Sequence, residues 1–383
     1  MKKNIDGFSF KKQLCSGLTA FLLTSSLSIA FAVVTSQSLV SALACIIACS
    51  FLSLVAKGNI CAPDPLFTVP FFYIYSNTSP IGAFVSISAS ALFFTLINKK
   101  IKNKPAVPDS VIAGTVLGLC LGATVLLTNS YFGIGSSGAT PFEMLKSYRS
   151  LGFHPHFMGL LTGTITLFTM ITYPFKFKKL SKIIPPSFIT VAIPYILNLW
   201  LNPDAEYTAI NEATFFEPIH NIDFSDFVFE FSSEQIFVIL EGILIFLWLF
   251  IVISDTREKQ ALQVCNILAP FPSSPIPVKH YGLISAIAVI VLSLFTFFVL
   301  PGIFSRLPIH CIGAMLIVLS WQRVPYKKIA STFKAKEKRI LNIVCFLICA
   351  VAFVIFNPYL ATIICALAFH ISTPLRKEKS NDC

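Results

Sequence analysis

Ala62-Pro63-Asp64-Pro65-Leu66-Phe67-Thr68-Val69-Pro70 decides how the rest of the chain is read. Prolines at 63, 65 and 70 break regular structure, and the apolar run that follows, 65–76, is too short to cross a bilayer. A spanning helix needs about 20 mostly apolar residues. A helix starting at this break would begin inside the membrane. Its free N–H groups and positive dipole end could hold an anion without a dedicated Lys or Arg. Irregular backbone at that depth is tolerated only where it is buried in protein or lines a cavity. The same residues also read as an ordinary extracellular loop with prolines as breakers. Asp64 weighs against an anion, since a carboxylate beside one costs affinity unless it is protonated or turned away.

Outward from this stretch, long apolar runs occupy 16–34, 37–56, 80–98, 107–128, 156–174, 183–200, 235–254, 281–300, 308–322, 339–356 and 358–373. A second sub-length stretch lies at 259–271. Of the 383 residues, 55% are hydrophobic and 12% charged, and the mean hydropathy is +0.77. Soluble domains carry about 25% charged residues. The shortfall excludes a secreted disulfide scaffold, a disordered chain and a cytosolic enzyme. Unbroken apolar runs exclude a barrel of alternating strands. The expected class is an all-α polytopic membrane protein with about 12–14 transmembrane segments. The first apolar run follows Lys2, Lys3, Lys11 and Lys12 but has no small-x-small cleavage site, so it reads as an uncleaved helix.

Positive charge gives the orientation. Lys99, Lys100, Lys102 and Lys104 form one cluster, and Lys176, Lys178, Lys179 and Lys182 a second. Arg323, Lys327, Lys328, Lys334, Lys336, Lys338 and Arg339 form a third, and Arg376, Lys377 and Lys379 close the chain. These belong in the cytoplasm. The stretch 201–233 carries seven acids and no Lys or Arg, which makes it an extracytoplasmic loop. Both termini then lie on the cytoplasmic side of a cytoplasmic (inner) membrane, which the chain crosses many times. The loop 129–154, with Lys146 and Arg149, falls outside against the rule. The net charge of +11 follows topology rather than nucleic acid, because no basic stripe is interleaved with aromatics. One transmembrane domain is expected over 1–373, with halves at about 14–200 and 234–373. A short cytoplasmic tail, 374–383, follows.

The eleven cysteines include Cys45, Cys49, Cys120, Cys345, Cys349 and Cys365 inside apolar segments. Without a CxxC or zinc spacing they read as reduced small hydrophobes. His154, His156, His220 and His280 read as solvated loop residues without metal spacing. Gly133, Gly135 and Gly138 follow a membrane helix and not a strand, so they read as a flexible loop. No nucleophile–base pair converges, and no enzyme, metal or cofactor is expected.

The second short stretch continues as Asn266-Ile267-Leu268-Ala269-Pro270-Phe271-Pro272-Ser273-Ser274-Pro275. It reads either as an opposing half-site, with Ser273 and Ser274 as hydroxyl donors at a helix start, or as a connecting loop. Ser26 and Ser28 in the first apolar run could face the same cavity, or could bond to backbone as serines in spanning helices do. Glu241 lies two turns inside 235–254 and is either a coupling residue or an acid snorkelling to the interface. Val107-Pro108-Asp109-Ser110-Val111-Ile112 is echoed by Ile184-Pro185-Pro186-Ser187-Phe188-Ile189, each a proline-led helix start after lysines.

Weak motifs in order now add up. Gly17-Leu18-Thr19-Ala20 leading into Ile29-Ala30-Phe31-Ala32 resembles the first helix of the SulP family of sulfate-permease-type anion transporters. Lys182 to Ser187, and Pro105 to Gly118 with Pro108, Val111, Ile112 and Gly114, resemble its gate-helix starts. Ser305-Arg306-Leu307-Pro308, Ala314 to Val318, Trp321 to Arg323 and Glu337 to Ile371 are similar to its last third. The resemblance implies fourteen segments in two inverted halves of seven. Segments 1–4 and 8–11 would form a core bundle, and 5–7 and 12–14 a gate. The anion would sit between the N-termini of two half-helices, segments 3 and 10, where the two short stretches fall. Its residues would be Ser26, Ser28, Ala62, Pro63, Leu66, Phe67, Thr68, Ala269, Pro270, Phe271, Ser273 and Ser274, with Glu241 as the coupling candidate. The chain departs from the family in lacking a STAS domain and in carrying Ser26-Leu27 where a Pro-Gln pair is common. Its segment-10 region, Asn266 to Ser285, is shorter by roughly a dozen residues.

The expected function is alternating-access transport of a small, sulfate-like anion across the inner membrane. The partners are the anion and membrane lipid, with a homodimer as the family's common assembly. A nucleobase–proton symporter of the same fold is one alternative, and a membrane scaffold that kept the fold and lost the site is another.

Overall fold

A computed structural model describes residues 10–35, 39–56, 59–100, 107–132, 138–151, 157–201, 232–254, 259–278, 280–299, 308–334 and 339–372. Residues 202–231 of the acidic stretch, the tail 374–383, the Gly133 and Gly135 positions, Ser305 to Leu307, His154, His156 and His220 lie outside the described residues.

The first half contains α1 (Phe10–Val34), α2 (Leu39–Val55), β1 (Asn59–Pro63), a 3-10 turn (Pro65–Phe67), α3 (Thr68–Asn77) and α4 (Pro80–Lys100). It continues through α5 (Asp109–Phe132), α6 (Pro141–Leu151), α7 (Phe157–Lys176) and α8 (Pro186–Leu201). The second half contains α9 (Ser233–Ser254), α10 (Lys259–Asn266), β2 (Ser273–Pro277) and α11 (Leu283–Val299). It ends with α12 (Ile309–Trp321), α13 (Tyr326–Lys334), α14 (Arg339–Ile355) and α15 (Pro358–Ser372).

The helices start where local chemistry says they should. Proline occupies the first position of α4, α6, α8 and α15, where its missing N–H has no partner to lose. At α9 the Ser232 hydroxyl accepts the Gln235 N–H while the Gln235 side chain accepts the Ser232 N–H, a reciprocal capping box. Four helices, α1, α4, α5 and α9, are each long and apolar enough to cross a membrane. Large apolar side chains point outward along the helices, among them Phe168 and Phe175 of α7 and Phe237 of α9. Such an outer surface suits hydrocarbon and not water. This is a multi-pass membrane protein.

The halves interlock. α1 packs on α11, and α9 packs on α4, the same pairing with the halves exchanged. Each pair has a glycine facing a serine. A Cβ on Gly17 of α1 would lie 2.9 Å from the Ser285 carbonyl of α11, and one on Gly242 of α9 would lie 2.7 Å from the Ser86 hydroxyl of α4. The hydroxyls complete the match: Ser285 donates to the Gln13 carbonyl at 2.7 Å and Ser86 to the Ile239 carbonyl at 3.2 Å. Small residues that let backbones approach are how membrane helices associate without a hydrophobic drive. These helices, with α2, α3 and α10, form the core body. α5 to α8 and α12 to α15 form the gate, in which α5 packs on both α12 and α14.

Two sequence expectations are corrected here. The stretch 129–154, read as a loop, contains the amphipathic helix α6. Thr140 and Glu143 cap it, the Glu143 carboxylate accepting the Ala139 N–H at 2.8 Å. The cysteines are not all reduced. Cys61 of β1 and Cys265 of α10 form a disulfide with their Cα atoms 5.2 Å apart, joining positions 204 residues apart in sequence. The eight other described cysteines are free.

Candidate functional site

β1 and β2 pair antiparallel at the centre of the core, Ala62 opposite Ser274 and Pro63 opposite Ser273. This brings the two predicted half-sites together. In the first the expected short helix forms. After Pro63 the chain turns through Pro65–Phe67 into α3, whose ten residues rise about 15 Å, half the hydrocarbon thickness. Leu66, Phe67 and Thr68 are fully buried, and the Thr68 hydroxyl donates to the Pro65 carbonyl at 2.7 Å.

The second half-site is corrected. Ser273–Pro277, expected at a helix start, is strand. Residues 64–79 separate β1 from α4, but only 278–282 separate β2 from α11. His280 makes the turn with φ 68°, a left-handed conformation that histidine adopts more readily than most residues. The short helix of this half, α10, precedes the strand instead of following it. Among the described residues the helix that follows β2 is α11, beginning at Leu283. Ala269 and Phe271 are fully buried, and the Phe271 ring packs 5.5 Å from Phe71 and 5.7 Å from Phe31. The Ser273 hydroxyl donates to the Phe271 carbonyl two residues back, and the Ser274 hydroxyl is buried without a hydrogen-bond partner among the described residues. Phe31, Phe71 and Phe271 thus pack together beside the strand pair.

Ser26 and Ser28 face different ways, correcting their shared role. The Ser26 hydroxyl donates to Ser187 of the gate at 2.9 Å and lines a cavity of about 320 Å³ between core and gate. Ser25 and Ile29 of α1, Val191 and Tyr195 of α8 and Phe297 of α11 also line it. Ser28 is fully buried inside the core. Glu241 accepts the Tyr73 hydroxyl at 2.9 Å, at the second turn of α3 and away from its N-terminus.

At the N-terminus of α3 the protein supplies its own anion. Asp64 is fully buried, and its Oδ1 accepts the Leu66 N–H at 3.1 Å, capping the 3-10 turn that leads into α3. The same oxygen accepts the Arg323 Nε at 3.3 Å. Arg323 follows α12 of the gate, so the pair ties core to gate. Removing one partner of a buried ion pair costs about 3–5 kcal/mol, because the other charge is left unpaired. Sequence reading took Arg323 as one more topology lysine or arginine. A signal was there: the run 308–322 ahead of it is the shortest of the long runs, and α12 rises only about 20 Å. A charge just past such a helix can sit below the membrane surface.

The fold has counterparts in solved structures. The transmembrane domain of a cyanobacterium bicarbonate transporter, BicA, matches with a TM-score of 0.64 over 94% of this chain and 98% of that chain, at 14% identity. The chain has the SulP transmembrane fold. The overall structure of SLC26A9 matches with a TM-score of 0.66, 11% identity and 96% coverage, and this chain spans 65% of that longer one. The murine Slc26a9 anion transporter in the inward-facing state matches with a TM-score of 0.62 and 12% identity, covering 98% of this chain and 69% of that chain. No protein-family model and no curated protein matches the sequence. The SulP fold carries the 7+7 inverted repeat that the interlocked α1–α11 and α9–α4 pairs display.

Proposed function

We propose that the chain is a secondary transporter of a small anion, working by alternating access as the core body moves past the gate. One observation carries this reading. At the core centre a strand breaks into the half-helix α3, and its N-terminus meets an arginine reaching over from the gate. Interrupted segments at the interface of two repeats are where transporters of this kind bind solute. The SulP fold agrees, since the similar proteins are named as a bicarbonate transporter and an anion transporter. In this reading the solute is sulfate-like, bicarbonate or a dicarboxylate. Glu241 is the coupling candidate, both termini lie in the cytoplasm, and the protein resides in the inner membrane, with a homodimer as its assembly.

Radiolabelled sulfate uptake into proteoliposomes tests it. Uptake should be saturable and inhibited by bicarbonate or a dicarboxylate, and not by uracil. Inhibition by uracil instead would install the nucleobase symporter. Thr68→Trp and Ser274→Trp should abolish flux, and robust flux in both would move the site elsewhere.

A second reading, a membrane protein that keeps the fold and no longer moves solute, is favoured by the direct turn from β2 into α11 and the sealed α3 terminus. It expects neither binding nor flux.

A further inference from the structure

The Asp64–Arg323 contact uses little of what a guanidinium offers. Arginine has five N–H donors in a planar fork suited to two-pronged pairing with carboxylates and other oxyanions. Here a single nitrogen, Nε, meets a single oxygen at 3.3 Å, longer than the 2.7–2.9 Å of a good charge-assisted bond. The two Nη groups have no partner among the described residues, and the side chain is 29% exposed. Asp64 keeps the Leu66 N–H if Arg323 leaves it. The two residues belong to different bodies, core and gate, and among the described ion pairs this is the one that joins them.

We propose that Arg323 is the recognition point for an oxyanion able to offer two oxygens, and that the Asp64 carboxylate is its tethered competitor. Solute taking both prongs of the guanidinium displaces Asp64 and unfastens core from gate. Binding and release of the core then become one event. The inference rests on the anion-transport reading and sharpens it: oxyanions such as sulfate, bicarbonate or a carboxylate are preferred over chloride, a sphere that cannot use the fork.

The test is equilibrium binding of sulfate, acetate and chloride to the purified full chain in nanodiscs at fixed ionic strength. If Asp64 holds Arg323 in about nine molecules of ten, Asp64→Asn raises sulfate affinity about tenfold. Arg323→Gln should lose sulfate binding. Arg323→Lys keeps the charge but not the fork, and should bind sulfate and chloride alike. Asp64→Asn/Arg323→Gln, which buries no charge, secures a folded protein without the site and should bind neither. Unchanged or weaker sulfate binding in folded Asp64→Asn overturns the proposal, as does wild-type selectivity in Arg323→Lys or wild-type binding in the double variant. Should Asp64→Asn fail to fold, the lysine and double variants decide alone. Flux is read separately: the expected binding pattern with no uptake in proteoliposomes would sink the transport reading and leave the recognition site standing.

Discussion

The two halves of the molecule agree in how their helices pack and disagree in what lies between them. α1 on α11 and α9 on α4 share one design, a glycine that admits a neighbouring helix and a serine that bonds to the glycine helix's backbone. Between the strands and the following helices, the first half has the 3-10 turn and α3, and the second has the five positions 278–282, with His280 in the left-handed conformation. Preceding the strands, α2 runs 17 residues and α10 only 8. The lesson is that the scaffold and the site answer to different forces. Helix contacts need apolar length and small residues, and both halves supply them. A half-helix inside a membrane must satisfy its loose backbone groups, so it persists where something pairs with them. In the first half Asp64 accepts the Leu66 N–H, and Arg323 pairs with that carboxylate.

The largest effect should come from removing what the second half does not have. Arg323→Gln takes the guanidinium away from the buried Asp64 carboxylate, and because Arg323 is partly exposed the loss should sit near the low end, about 3 kcal/mol. Thermal melts in detergent should show it, and Asp64→Asn added to Arg323→Gln should recover most of it. If the single variant melts like wild type, the asymmetry at α3 has no energetic meaning. Next comes the covalent tie between the halves. Cys265→Ser opens the Cys61–Cys265 link and should cost about 2–4 kcal/mol, read as a lower melting temperature that reductant produces in wild type but not in the variant.

The packing similarity can be sharpened by a pair of smaller changes. Gly17→Ala drives its methyl into the backbone of Ser285, whereas Gly242→Ala meets side-chain atoms, the Ser86 hydroxyl and Cβ and the Ile74 Cδ1. Overpacking costs about 1–3 kcal/mol, and Gly17→Ala belongs at the upper end and Gly242→Ala at the lower. Equal losses would mean that the α1–α11 contact yields as readily as α9–α4. Smallest of all, Ser285→Ala and Ser86→Ala should each cost about 0.6 kcal/mol, matching within error if the two hydroxyls are true equivalents.

The sequence carries the scaffold plainly. Every run of apolar residues long enough to span became a helix, and Pro108 and Pro185 stand directly before α5 and the Pro186 start of α8, as proline-led starts require. The break at Ala62 to Pro70 was legible for the same reason, since prolines and shortness are local signals. The deficit after Asn266 was legible as missing length. Its meaning was not, because length alone cannot say whether a strand, a turn or a helix was lost. The Cys61–Cys265 bond escaped notice because nothing in spacing links residues so far apart. Arg323 escaped because a charge at a helix end looks the same whether it faces water or a buried acid. Phe271 is legible as central from its position in the break, but its packing against Phe31 and Phe71 joins residues far apart in sequence and has no local signal.

The account stands or falls on oxyanion movement that depends on Arg323. The direct measurement is initial-rate sulfate, bicarbonate and chloride flux in proteoliposomes holding wild type or Arg323→Lys, a variant that keeps the positive charge beside Asp64. The account predicts saturable sulfate or bicarbonate flux well above chloride in wild type, with that preference lost in the variant. Flux no greater than that of empty vesicles for all three anions, or the same preference in both proteins, would contradict it.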